Sequence, residues 1–104
     1  MLDPTEFDAL VDLVFDRIID TLDASDAGCD IDLSQGVLEI TCADDSKIII
    51  NRHAPNQEIW VAAKSGGFHF KRVVEDWVDT RSGEQFSVLL SRVVMLQTGE
   101  TLKF

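Results

Sequence analysis

Residues 33–71, LSQGVLEITCADDSKIIINRHAPNQEIWVAAKSGGFHFK, alternate apolar and polar side chains in short runs broken by turn-forming residues. A period of two marks strands with one buried face. In EIWVAAK it places Ile59, Val61 and Ala63 on one face and Glu58, Trp60, Ala62 and Lys64 on the other. In the same way Ile48 and Ile50 fall inside while Ile49, Asn51 and His53 fall outside, and FHFK turns Phe68 and Phe70 in and His69 and Lys71 out. Extended in both directions, the alternation predicts strands at 30–33, 37–43, 47–52, 58–64, 68–72 and 76–79, separated by SQG, ADDS, HAPNQ, SGG and VVE. Connections this short join neighbouring antiparallel strands.

The period is helical on both sides of this meander. Asp3-Pro4-Thr5-Glu6 is a start signal, with Asp3 as N-cap, Glu6 three residues on as in a capping box, and Pro4 in the first turn. Phe7, Leu10, Val11, Val14, Phe15, Ile18 and Leu22 then form one apolar stripe over about four turns, ending near Leu22 to Ala24. After RSGE a second stripe, Phe86, Leu89, Leu90, Val93, Val94 and Leu96, runs up to Gly99, and the tail TLKF either lies against the body or frays. Helix, meander, helix predicts an α+β two-layer sandwich: an antiparallel sheet of about five to six strands, with both helices on one face and the other face open to water. The 104 residues suffice for one such domain, expected over 1–104, and show neither a repeat nor a linker.

Composition narrows the function. Apolar residues make up 45% of the chain, as in globular proteins. No apolar run approaches the roughly 20 residues of a membrane span, and the N-terminus lacks a basic start followed by an apolar stretch, so a soluble cytoplasmic protein is expected. A net charge of −10 argues against nucleic acid. Cys29 and Cys42 are too few for a zinc site and are expected to be reduced, Cys42 as a small apolar strand residue. No nucleophile elbow or phosphate loop occurs, SGG is too short to cradle phosphate, and His53 and His69 lack a placed third ligand, so an enzyme is the weaker class.

The charge is unevenly spread. Residues 1–32 carry ten acids and one base, Arg17, whereas residues 33–104 carry nine acids and eight bases. Asp8, Asp12, Asp16 and Asp20 recur every fourth residue and so stay on one side of the first helix, while Asp23, Asp26, Asp30 and Asp32 continue the field into the first strand. Like charges at this spacing weaken a helix, so an uncompensated stripe asks for a role beyond solubility. Two roles fit: weak binding of hard cations such as ferrous or ferric iron, manganese, calcium or magnesium, or docking on a basic protein surface. DASDAGCDID lacks the Gly and Glu of a calcium-binding EF-hand loop, which leaves a shallow ridge rather than a deep site. On the open face, Trp60 among Asn51, His53 and Glu58 is either a contact surface or a cross-strand partner of Ile49.

Taken together, the acidic first helix, NRHAPNQEIWVAAKSGGFHF and DWVDTRSGEQFSVLL resemble bacterial frataxins, the CyaY family, in order and over essentially the whole chain. The resemblance implies two helices on one face of an antiparallel sheet and a role as iron-binding regulator or iron chaperone of iron-sulfur cluster assembly, with ferroxidase activity secondary. It implies weak iron binding along Asp8, Asp12, Asp16, Asp20, Asp23, Asp26, Asp30 and Asp32. Asp16, Asp20 and Asp23 would dock on the cysteine desulfurase, with Asn51, His53, Trp60 and His69 as a surface for the scaffold protein. A monomer is implied in the absence of metal. Three features depart from the family pattern: Asp8 stands where many bacterial members have His, His53 and Glu58 stand where Gln is usual, and the loop before the first strand is about two residues shorter.

Overall fold

The computed structural model of the chain describes residues 2–104. Its first helix begins where the sequence signals it: Asp3 accepts the amide of Thr5 at 2.8 Å, and α1 (Pro4–Asp23) follows with Pro4 in its first turn. At the other end the Ser25 hydroxyl donates to Leu22 O at 2.7 Å and accepts from Ala27 N at 3.2 Å, which ties off carbonyl and amide groups the helix no longer satisfies.

Six strands follow, β1 (Asp30–Ser34), β2 (Val37–Thr41), β3 (Lys47–His53), β4 (Glu58–Ala63), β5 (Gly66–Val73) and β6 (Asp76–Asp79), and then α2 (Phe86–Thr98). The sheet keeps chain order, each strand antiparallel to the next. Phe7, Val11, Phe15, Ile18 and Leu22 of α1 and Phe86, Leu89, Leu90, Val93 and Val94 of α2 share one buried cluster with the inward residues of the sheet. The two helices thus cover one face, as the periodicity requires. Trp77, which the sequence left without a role, packs edge-on against Phe7 at 6.1 Å between ring centroids and closes the β6 end of the core.

Several boundaries differ from expectation, each for a local reason. β2 stops at Thr41 rather than 43 because Cys42 enters a turn: its amide donates to Ser46 O and its carbonyl accepts from Asp45 N, with Asp45 at φ 71°. β5 starts at Gly66, not 68, since Ala63 pairs with Gly66 and the hairpin turn consists of Lys64 and Ser65 alone; the glycines of SGG are strand residues. In α2, Leu96 is 67% exposed and Gln97 is buried in its place, because 97 continues the stripe of 90, 93 and 94 and 96 does not. Gln97 carries no penalty there: its Oε1 accepts from Lys64 N at 3.1 Å and its Nε2 donates to Ser46 Oγ at 3.0 Å. The tail lies against the body, with Leu102 and Phe104 packed on the core.

The turn in VVE places Val74, a β-branched residue, at φ 59° and 91% exposed. A branched Cβ in the left-handed region is strained and no contact compensates it here. Val74→Asn is expected to stabilise the protein by about 1 kcal/mol, read as a higher urea midpoint at unchanged slope.

Candidate functional site

Five buried residues at spacings of four, four, three and four fix how α1 is rotated. That rotation leaves Asp8, Asp12, Asp16 and Asp20 exposed on one flank, with Asp23 at the helix end and Asp26 in the loop beyond it. Asp30 and Asp32 lie on β1, an edge strand paired only with β2. Ile31 and Leu33 share the helix-side face with their partners Ile40 and Leu38, so Asp30 and Asp32 stand on the opposite, open face. The acidic field expected as one continuous ridge therefore wraps around the sheet edge, with helical acids on one side and strand acids on the other.

Nor is the stripe uncompensated along its whole length. Arg52 Nη1 donates to Asp8 at 3.1 Å and Nη2 to Asp12, while the guanidinium lies 5.3 Å from the centre of the Phe15 ring. Burial works against the charge of Arg52, yet the bonds to Asp12 and Asp8 outweigh it and raise the group above its ordinary range. Arg52 follows Ile48 and Ile50 on the inward face of β3, and a charge on that face needs a partner; this parity was the available signal for the pairing. The chain makes room for it at the β1–β2 turn, where Gln35 and Gly36 both have positive φ and a Cβ on Gly36 would lie 3.4 Å from Arg52 Nε.

Asp16, Asp20, Asp23, Asp26, Asp30 and Asp32 form no ion pair among the described residues. No three His, Cys, Asp or Glu side chains among those residues converge as a metal site. The flank therefore presents separated, exposed carboxylates, a chemistry suited to loose contact with hard cations or with a basic surface and unsuited to enclosing an ion.

The open face carries a different arrangement. Strand register puts Trp60 opposite Asn51 on β3 and His69 on β5. The indole is sandwiched between two imidazoles: His53 stacks on it at 3.9 Å and 9°, and His69 at 4.2 Å and 10°. Glu58 accepts from Trp60 Nε1 at 2.8 Å. Of the two roles open to Trp60, direct cross-strand pairing with Ile49 is not formed, since Ile49 lies opposite Ala62. His53 and His69 lie on opposite faces of the indole, so a metal ion shared by both rings is sterically blocked. Asn51, His53, Trp60 and His69 thus form one surface with a fixed plane, and its acidic neighbour Glu58 locks the indole edge.

Comparison with known proteins gives the family. The model of the frataxin-like domain matches residues 1–100. The chain belongs to the frataxin family. It is 46% identical over 102 residues to the iron-sulfur cluster assembly protein CyaY of Dechloromonas aromatica, covering 97% of both chains. To the protein of the same name from Cupriavidus pinatubonensis it is 47% identical, covering 98% of this chain and 96% of the relative. Among solved structures, frataxin from Psychromonas ingrahamii superposes with a TM-score of 0.92 at 30% identity, covering 98% of this chain and 97% of that one. The frataxin fold of two helices on one face of an antiparallel sheet is therefore shared along the chain. No helix of the described residues is long and apolar enough to cross a membrane.

Proposed function

We propose that this frataxin binds iron weakly at Asp16, Asp20, Asp23, Asp26, Asp30 and Asp32, with Asp8 and Asp12 at the far end, and docks on a cysteine desulfurase through Asp16, Asp20 and Asp23. In this way it acts as an iron-binding regulator, or iron chaperone, of iron-sulfur cluster assembly. The observation that carries the reading is the run of exposed carboxylates from Asp16 to Asp32, around one flank of α1 and the edge strand, that have no cation partner among the described residues. The names of its relatives supply the process. Hydrated carboxylates accept ferrous and ferric iron alike, and other divalent cations substitute. The Asn51, His53, Trp60 and His69 face is the complementary surface for an iron-sulfur scaffold protein, where an aromatic plane offers contact area at little entropic cost. The reading is of a cytoplasmic protein, monomeric without metal and not itself an enzyme.

Arg52 gives the proposal an internal order. Iron reaching Asp8 or Asp12 competes with the guanidinium already bound there, whereas the other six carboxylates have no such competitor among the described residues. In a titration of the protein with ferrous iron under anaerobic conditions, amide signals between Asp16 and Asp32 are expected to shift or broaden first, before those around Asp8. Perturbation confined to the sheet face around Trp60 would overturn the assignment of iron to the acidic flank.

A second reading has its own support, since no three metal-binding side chains converge among the described residues. The flank then acts as a metal-independent acidic module that modulates a basic partner. Desulfurase binding that is unchanged by a strong chelator and weakens steeply with salt selects this reading, and binding that needs iron selects the first.

A further inference from the structure

The two cysteines sit together in a way that neither composition nor the proposed function explains. The β1–β2 register pairs Asp30 with Thr41, and one step further along both strands it brings Cys29 opposite Cys42. Cys42 directs its amide to Ser46 O at 2.8 Å and its carbonyl to Asp45 N at 2.9 Å, both toward β3 and its turn. In an antiparallel sheet a residue's two backbone groups point to the same neighbour, so toward Cys29 it occupies a non-hydrogen-bonded position. At such positions facing Cα atoms lie about 4.5 Å apart, inside the roughly 4.4–6.8 Å that a disulfide spans. Parity agrees: Cys42 continues Leu38 and Ile40 on the helix-side face, and Cys29 continues their partners Leu33 and Ile31.

We propose that Cys29 and Cys42 are a reversible modification site, a cross-strand dithiol that low-molecular-weight disulfides oxidise to an intramolecular disulfide. Both cysteines are free in this structure; Cys42 is buried and Cys29 half-buried, so a small reagent reaches Cys29 first. The Cys29 thiolate attacks one sulfur of the reagent, forming a mixed disulfide and releasing one thiol. Cys42, as thiolate, then attacks the Cys29 sulfur of that mixed disulfide and expels the second thiol. Two protein thiols are oxidised, one reagent disulfide is reduced to two thiols, and the two protons lost by the protein end on those thiols. Burial, then the neighbouring Cys42 and the Asp30 carboxylate, push the Cys29 thiol from 9.0 up to about 11. The partial burial of Cys29 and the full burial of Cys42 restrict access of the reagent, so exchange is slow. The oxidised form ties the end of the loop that carries Asp26, and the start of β1 with Asp30, to β2. The inference rests on strand register and does not depend on iron binding.

The test uses the full chain equilibrated with oxidised glutathione at pH 8 and then quenched, alkylated and mapped by mass spectrometry. The expected product is a monomer lighter by about 2 Da, with no alkylatable thiol and a Cys29–Cys42 linked peptide, returned to two thiols by excess reduced glutathione. Amide exchange over residues 25–31 is expected to slow on oxidation. In Cys42→Ala the glutathione adduct is expected to persist at Cys29 for want of a resolving thiol. The proposal is overturned if wild-type protein of native circular dichroism keeps both thiols alkylatable, accumulates a stable Cys29 adduct, or cross-links only between chains. The wild-type mass and peptide map decide the matter even where the variant does not fold.

Discussion

Reversing two charges, with Asp16→Lys and Asp20→Lys together, is expected to weaken binding to the cysteine desulfurase by about 100-fold while leaving the fold intact. Both carboxylates are exposed and neither pairs with a cation among the described residues, so no internal contact is lost. They stand four residues apart on α1, where like charges repel. The double substitution replaces one like-charge pair by another but sets the lysines beside the remaining Asp12 and Asp23, and it changes the local charge by four, which a basic partner surface meets as direct opposition. The helix itself gains slightly, because Lys is a better helix former than Asp. A thermal midpoint equal to or above that of the wild type, combined with lost binding in a titration at low salt, separates a damaged interface from a damaged fold. Unchanged affinity would refute docking through this flank.

Phe15→Ala is expected to destabilise the protein by about 3–5 kcal/mol, a large fraction of the roughly 5–15 kcal/mol available to a domain of this kind. Phe15 is 1% exposed and lies in the middle of the α1 contribution to the core. Its ring is also the surface on which the Arg52 guanidinium rests before reaching Asp8 and Asp12. Truncation therefore opens a cavity and removes the seat of the Arg52 cation that holds the N-terminal end of the acidic flank. The midpoint of urea unfolding should fall accordingly; a loss below about 1 kcal/mol would show that α1 is not anchored through this residue.

Much of this molecule is legible in its sequence because period and turn chemistry agree along most of the chain. Ile59, Val61 and Phe70 fall on the buried face as alternation requires, and the paired start signals at Asp3 and Pro4 mark the beginning of α1. The errors cluster where a single residue serves two demands. Gly66 and Gly67 look like a turn yet pair with Ala63 and Ala62, because turn propensity yields to strand register when the neighbouring side chains are small. Gln97 looks like an exposed residue beyond a stripe ending at Leu96 and is instead a buried hydrogen-bonding centre. Tertiary context overrode local preference in both.

The candidate site was legible in part, for a different reason. Counting charge along the chain locates the acids, and helical geometry keeps four of them on one side. Neither step reveals that Arg52, forty residues beyond Asp12, returns beneath that helix, or that Asp30 and Asp32 turn onto the open face. Sequence parity placed Trp60, His53 and His69 on one face, but their stacking order depends on register between three strands, which alternation within each strand does not fix.

The most direct test of the acidic flank as the functional surface is reconstituted cluster assembly, with desulfurase and scaffold protein, across a range of ferrous iron concentrations. The rate of cluster formation is measured without this protein, with the wild type, and with the Asp16→Lys, Asp20→Lys variant. The wild type is expected to change the rate to an extent that depends on iron, and the variant is expected to leave it at the level of the reaction without either protein. A variant as effective as the wild type at every iron concentration would contradict the account.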